Sequence, residues 1–303
     1  MNQIKIVNNV EEANAITHSG TFHADDIFST IFLAKFQEVF LFRTNEYNKI
    51  SNNNQIVFDI GCGEFDHHGD SAKVRANGVK YCAFGLLFEK FGRKYLKEKQ
   101  VEDIEEVYQM YLKDFILQID AIDNGIFPAR PKDYNILTLS SIIELYNPTW
   151  KEAKDTNAAF LEAIQIGNLI FERIEKRILD KLAAKTIVEE QLKKTEGEII
   201  QFEEYLPFMD FLLSSNQENA KNILFAIFPS NRGGYNIRAI NKEIGSFKNR
   251  LDFPKEWGGK SKEELYEMTQ IKTFRFCHSN LFLCSCDELE DAIKIAKLAL
   301  KQK

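Results

Sequence analysis

The chain has 303 residues, enough for one large α/β domain or two of ordinary size, with globular proportions of 44% hydrophobic and 28% charged residues. A net charge of -6 excludes the overall basic field of a protein that coats a nucleic-acid duplex. No run approaches the roughly 20 apolar residues that span a bilayer, and the start, MNQIKIVNNV, lacks the features of a secretory signal, so a cytoplasmic protein without a membrane partner is expected.

Residues 4 to 7 and 13 to 17 carry the first strand signals. The second runs into THSGTFHADD (17–26), which sets His18 and His23 in a Gly-containing turn. A helix apolar on all sides follows from Asp25 to Gln37, then a short strand from Val39 to Phe42 that ends in Arg43-Thr44. The segment QIVFDIGCGEFDHHG (55–69) comes next. Its strand, 55–60, is the expected central strand and delivers Asp59 at its C-terminal end; a Gly-rich turn then carries Asp66-His67-His68. Strand, helix, strand in this order predicts a parallel, doubly wound α/β sheet.

Helices are expected at 80–95 and 101–121. The second closes on Asp120, Asp123 and Gly125, and carboxylates at a helix C-terminus oppose its dipole unless a cation lies close by. A helix at 135–147 stops at Asn147-Pro148. The stretch 156–194 is continuously helical and highly charged, which reads as a long connector between domains at 1–195 and 196–303. Beyond it, strands near 198–202, 222–228, 235–240, 273–277 and 281–285, with helices at 261–269 and 287–301, predict a smaller α+β domain. Arg232, Arg238, Lys248, Arg250 and His278 are its polar features: singly surface residues, together an anion-binding face. Five Cys, an odd number, argue against a disulfide framework. Cys277, Cys284 and Cys286 alternate with apolar residues as strand-interior positions do, rather than as zinc ligands.

Four of the five His fall in two loops that end neighbouring strands. An isolated Asp-His pair is ordinarily a polar turn, but two such loops converging at one sheet edge make a metal site. His18, His23, Asp25, Asp59, His67 and Asp123 are too many ligands for one zinc, and they suit two divalent ions sharing a carboxylate, for which Asp59 is the natural bridge. Mixed imidazole and carboxylate donors favour Mn²⁺, with Mg²⁺ or Co²⁺ as alternatives. Such a pair activates water for in-line attack on phosphorus, with His68 placed to assist the leaving oxygen and Asp59 holding the ions together. Hydrolysis of a phosphoester or phosphoanhydride follows.

The Asp66-His67-His68 triplet resembles the motif of the DHH phosphoesterase superfamily. Together, seven segments resemble its melanocyte-proliferating-gene exonuclease family: THSGTFHADD, Arg43-Thr44, the triplet, IDAIDNGI (119–126), NPTW (147–150), SFKNRLDFPKEWGGKSKEEL (246–265) and FCHSNLF (276–282). The resemblance runs from about residue 14 to the C-terminus. It implies a metal-bearing first domain, a substrate-gripping second domain and an active site in the cleft between them. It also implies that His18, His23 and Asp59 hold one metal, and that Asp25, Asp59, His67 and Asp123 hold the other. Asp26 and Asp120 compete with Asp25 and Asp123, and the superfamily's commonest first motif has Asp where His23 stands. Arg250 and His278 are assigned to phosphate and Trp257 to stacking on a base, with packing under its own loop as the alternative. The expected activity is a 3′-to-5′ exonuclease acting on single-stranded RNA or short oligonucleotides. A small-molecule phosphohydrolase and a non-enzymatic scaffold are the alternatives, and the oligomeric state stays open, a homodimer included.

Overall fold

Four short strands open the chain in the computed structural model, which describes residues 1–46, 55–69, 72–129 and 131–302. They are β1 (Ile4–Ile6), β2 (Ala15–Thr17), β3 (Val39–Arg43) and β4 (Ile56–Val57). All pair in parallel in the order β1-β3-β2-β4, so the parallel α/β expectation stands. The central position does not belong to β4. That strand pairs only with β2 and forms an edge of the described sheet, because the other side of β2 is taken by β3. Asp59 still follows its C-terminal end, after Phe58 forms an isolated parallel bridge to Phe65.

Helix α1 (Ala24–Leu33) has every residue buried, as its all-round apolar sequence requires. Its Phe28 meets Phe115 edge-on at 4.9 Å, and Phe32 packs against Phe88 at 5.4 Å. Helix α2 (Ala83–Glu98) supplies Phe84 and Phe88 to the same core. The helix expected over 101–121 is interrupted: α3 (Ile104–Tyr111) and α4 (Leu117–Asp123) flank a π-helical turn, Leu112–Ile116, where Leu117 N–H reaches back to Leu112 O. Helix α5 (Leu139–Glu144) is shorter than the expected 135–147, opening on a reciprocal Thr138/Ser141 cap.

The long helix α6 (Thr156–Lys194) is more than a connector. The chain divides into two compact units, Met1–Leu179 and Asp180–Lys303, and the division falls inside α6. In the first unit Phe160, Ala163 and Phe171 are fully buried. Gly167 permits close approach there, since a Cβ at that position would stand 2.8 Å from Ile31 Cδ1. In the second unit Ala184, Val188 and Leu192 join a core with Ile200, Phe202 and Ile223. Charges along the sequence hide this role, because they share the helix with buried positions.

The second unit carries a five-stranded sheet of β5 (Ile199–Gln201), β6 (Phe225–Pro229), β7 (Tyr235–Ala239), β8 (Phe274–Cys277) and β9 (Leu283–Cys286), in the order β5-β6-β7-β9-β8. Only β5–β6 is parallel. Helices α7 (Met209–Ser214), α8 (Lys262–Thr269) and α9 (Leu289–Leu300) complete it; α7, six residues long, is too short to announce itself by period. Cys277, Cys284 and Cys286 are fully buried, as their alternation requires. Trp257 is corrected: its 3₁₀ turn faces the indole inward, 5% exposed, stacked at 6.4 Å on Phe253 and edge-on at 5.3 Å to Phe274. A ring packed that way offers no face to a base.

Candidate metal centre

The His18–His23 loop is fixed from two directions. Arg43, at the end of β3, donates through Nη2 to Gly20 O at 2.9 Å and through Nη1 to Asn157 Oδ1 at 3.0 Å, with its guanidinium 4.2 Å from the Phe160 ring centre. Asn147 brackets the backbone of Phe22, accepting its N–H at 3.0 Å and donating to its carbonyl at 2.8 Å. His23 caps the N-terminus of α1, and its own N–H donates to Asp26 Oδ2 at 2.7 Å. The other oxygen of Asp26 lies 2.6 Å from His18 Nε2. Donor atoms of His18, His23 and Asp26 all fall within 4.8 Å of one another.

A second cluster gathers Asp25, His67 and Asp123 within the same span. Asp25 is fully buried because its carboxylate accepts N–H groups of Ala83 at 2.9 Å and Phe84 at 2.6 Å, at the positive end of α2. His67 Nε2 lies 3.1 Å from Asp123 Oδ2 and 3.8 Å from Asp25 Oδ2. Asp59 stands between the clusters. Its Oδ2 is 3.3 Å from His18 Nε2 and its Oδ1 3.0 Å from His67 Nε2. Its backbone is left-handed, at φ 56°, a conformation uncommon outside Gly and tolerated by Asp. The turn after it is tied by Asp66, which accepts Cys62 N–H at 2.6 Å and lies 2.8 Å from His68 Nδ1.

Asp26 therefore belongs beside His18 and His23 rather than in place of Asp25. Asp120 lies outside the donor clusters. Its carboxylate accepts Arg75 Nε–H at 2.6 Å and Cys82 N–H at 3.0 Å, and Arg75 is the cation that its place near the end of α4 requires. Chain position alone gave no sign of Arg75, nor of the brackets made by Arg43 and Asn147; their segments were legible as motifs, their partners were not.

The electrostatics are those of crowded carboxylates held by imidazoles. Burial works against a charge on His18, yet hydrogen bonds to Asp26 and Asp59 outweigh it and raise its pKa to about 11. His67 is raised to about 9 against the same desolvation, by Asp59 and the charges of Asp25 and Asp123. Burial pushes Asp59 up, but its two imidazole partners hold it at about 2. Asp123 is pushed up to about 6 by burial and Asp59, and Asp25 is raised by burial and by both carboxylates. Three imidazoles and four carboxylates in these positions suit divalent cations, which replace protons as the counter-charge.

A cleft of about 920 Å³ opens over His18, His23, Asp59, His67, His68 and Asp123, and Phe127, Ile136 and Glu144 also line it. In the second unit, Arg250 Nη1 donates to Ala220 O at 2.6 Å and Ile223 O at 2.9 Å, so part of its guanidinium is committed to backbone. Burial lowers its pKa. His278 Nδ1 accepts Asn280 N–H at 3.0 Å, which leaves the proton of a neutral ring on Nε2, and the ring centre lies 4.4 Å from that of Phe282.

Residues 14–300 match a family model, MYG1_exonuc, described as an uncharacterised protein family (UPF0160). The chain belongs to the MYG1 exonuclease family. Among its MYG1 relatives, a MYG1 exonuclease of Bos taurus is 29% identical, covering 95% of this chain and 84% of its own. MYG1 proteins of Dictyostelium discoideum and Chlamydia trachomatis are 27% and 26% identical, each over 96% of its length and at least 94% of this one. A solved structure of a pGpG-specific phosphodiesterase from Vibrio covers 96% of the chain and 98% of its own at 13% identity, with a TM-score of 0.26, too slight a likeness to speak for the fold. No helix among the described residues is long and apolar enough to cross a membrane.

Proposed function

We propose that this MYG1 chain is a divalent-metal-dependent phosphodiesterase of the DHH type, a 3′-to-5′ exonuclease on single-stranded RNA or short oligonucleotides. The observation that carries the reading is Asp59, whose two oxygens lie 3.3 Å and 3.0 Å from the imidazoles of two separate clusters. His18, His23, Asp26 and one oxygen of Asp59 would hold one ion; Asp25, His67, Asp123 and the other oxygen would hold the second. Mn²⁺ suits these donors best. Bound metal supplies an acidified water and a counter-charge for the phosphoryl group.

The chain's own residues supply the rest. Arg43 and Asn147 hold the first loop against α1, which fixes His18 and His23. Asp25 is oriented by the start of α2, and the left-handed backbone at residue 59 aims its carboxylate between the clusters. His68 is 60% exposed in its side chain and gives Nδ1–H to Asp66, so its Nε2 serves the leaving oxygen. Arg250 and His278 of the second unit would take phosphate oxygens, His278 through Nε2–H. The name of the bovine relative, MYG1 exonuclease, supports a nucleic-acid substrate.

The test is a panel of Mn²⁺-supplemented reactions comparing mononucleotide release from end-labelled oligoribonucleotides with phosphate release from pyrophosphate. Mononucleotide release is expected to dominate, to stop with EDTA, and to fall at least about 100-fold in His67→Ala, which empties or misplaces one ion. Oligonucleotide hydrolysis that survives EDTA without added metal, or full activity in His67→Ala, overturns the reading.

A further inference from the structure

We infer that the segment from residue 127 to 144 forms a nucleobase seat beside the proposed metal centre, with Phe127 as the stacking face. The inference rests on the phosphodiesterase reading for the phosphate that would anchor the ligand, and it assigns the next part of that ligand. Phe127, 53% exposed, and Ile136, 46% exposed, line the same cleft as His67 and Asp123. Two large apolar side chains left in water beside a cluster of charges call for an apolar group brought by a ligand.

The chemistry of the lining selects the ligand. Among the described residues that line the cleft there is no Lys or Arg, and beyond the proposed metal ligands its charged residue is the acceptor Glu144. A second phosphate has no counter-charge there and meets a carboxylate. That disfavours pyrophosphate and polyphosphate chains and favours a neutral ring whose edge carries N–H donors for Glu144. The volume, about 920 Å³, lies in the range of pockets that hold a nucleotide-sized molecule.

The seat is fixed in place. Thr138 N–H donates to Ser141 Oγ at 2.7 Å and Ser141 N–H donates to Thr138 Oγ1 at 3.2 Å, so both hydroxyls that line the cleft are locked into the start of α5. A flat ring entering between them and Phe127 meets a pre-set surface. Base stacking on an aromatic ring is sequence-tolerant, which fits an enzyme that processes ends.

The experiment is a calorimetric titration of the full chain, with Mn²⁺ present, using adenosine 5′-monophosphate and ribose 5-phosphate as probes. The two share a phosphate and a sugar and differ in the base. Wild-type protein is expected to bind the nucleotide roughly tenfold more tightly, the value of one stacked base. Phe127→Ala and Ile136→Ala should bring the ratio towards unity, and their far-UV spectra and melting temperatures verify that these exposed sites leave the fold intact. Equal affinity for the two probes in the wild type, or an unchanged ratio in both variants, overturns the inference. If the base-dependent ratio and its loss are observed while no oligonucleotide is cleaved, the seat stands and the hydrolase reading falls. If oligonucleotides are cleaved with no base-dependent ratio, the reverse holds.

Discussion

At the scale of single residues, the centre is a balance between buried acids and the protons that neutralise them. In the metal-free chain that balance has a pH signature. His67, raised to about 9 from an ordinary 6.5, contributes stability that is full below about pH 6.5 and lost as pH climbs through 9. Asp123, pushed up to about 6, acts in the same direction, since the folded state resists its ionisation between about pH 4 and 6. Asp59, held at about 2, contributes stability above about pH 4 that is lost only near pH 2. The melting temperature of the metal-free protein should therefore fall from pH 6 to 9, and the rise produced by Mn²⁺ should grow over that window. Calorimetry in buffers of different ionisation enthalpy should register protons leaving as Mn²⁺ binds. A Mn²⁺ effect independent of pH would mean that the imidazoles are not ligands. Much of this was legible in the sequence: four His in two loops, with Asp59 at a strand end, made a metal site. The two choices between adjacent or neighbouring acids were not, because chain position cannot tell which carboxylate is already taken by an arginine or a helix end. Trp257 shows the same limit in reverse. Truncating it to Ala should cost about 3–5 kcal/mol of stability, read by urea unfolding, while leaving nucleotide affinity unchanged.

At the scale of elements, helix beginnings do the positioning. The N-terminus of α1 places His23, Asp25 and Asp26, and that of α2 is met by two carboxylates from elsewhere in the chain, Asp25 and Asp120. Gly85 makes the second meeting possible, because a Cβ there would stand 2.1 Å from Asp120 Oδ1 and 3.0 Å from Arg75 Nη2. Asp120 cannot swing aside without abandoning both of its donors, so Gly85→Ala should cost on the order of 1–3 kcal/mol and lower Mn²⁺ affinity through the displaced start of α2. Unaltered melting and metal binding in that variant would show that the approach is looser than the coordinates have it. Strand and helix identities were mostly readable from period and β-branched content. Pairing order was not: an apolar run such as Ile56-Val57-Phe58 looks alike at a sheet's edge and at its centre, and only the neighbours decide.

At the scale of the whole molecule, composition described the chain fairly but concealed α6. Its charges suggested a solvated span, whereas buried Phe160 and Phe171 serve one core and Val188 and Leu192 another. A fragment beginning at residue 196 lacks Ala184, Val188 and Leu192, three of the side chains that close the second core. It should show a broad, non-cooperative melt, where a fragment beginning at 180 unfolds in one transition. Equal cooperativity in the two would mean that the helical residues add nothing. No loop separates the two units at 179/180, only the middle of a helical turn. Recombination between relatives therefore finds no neutral seam there: a crossover must match helical phase on both sides, which favours inheritance of the pair as one gene segment over their exchange as cassettes.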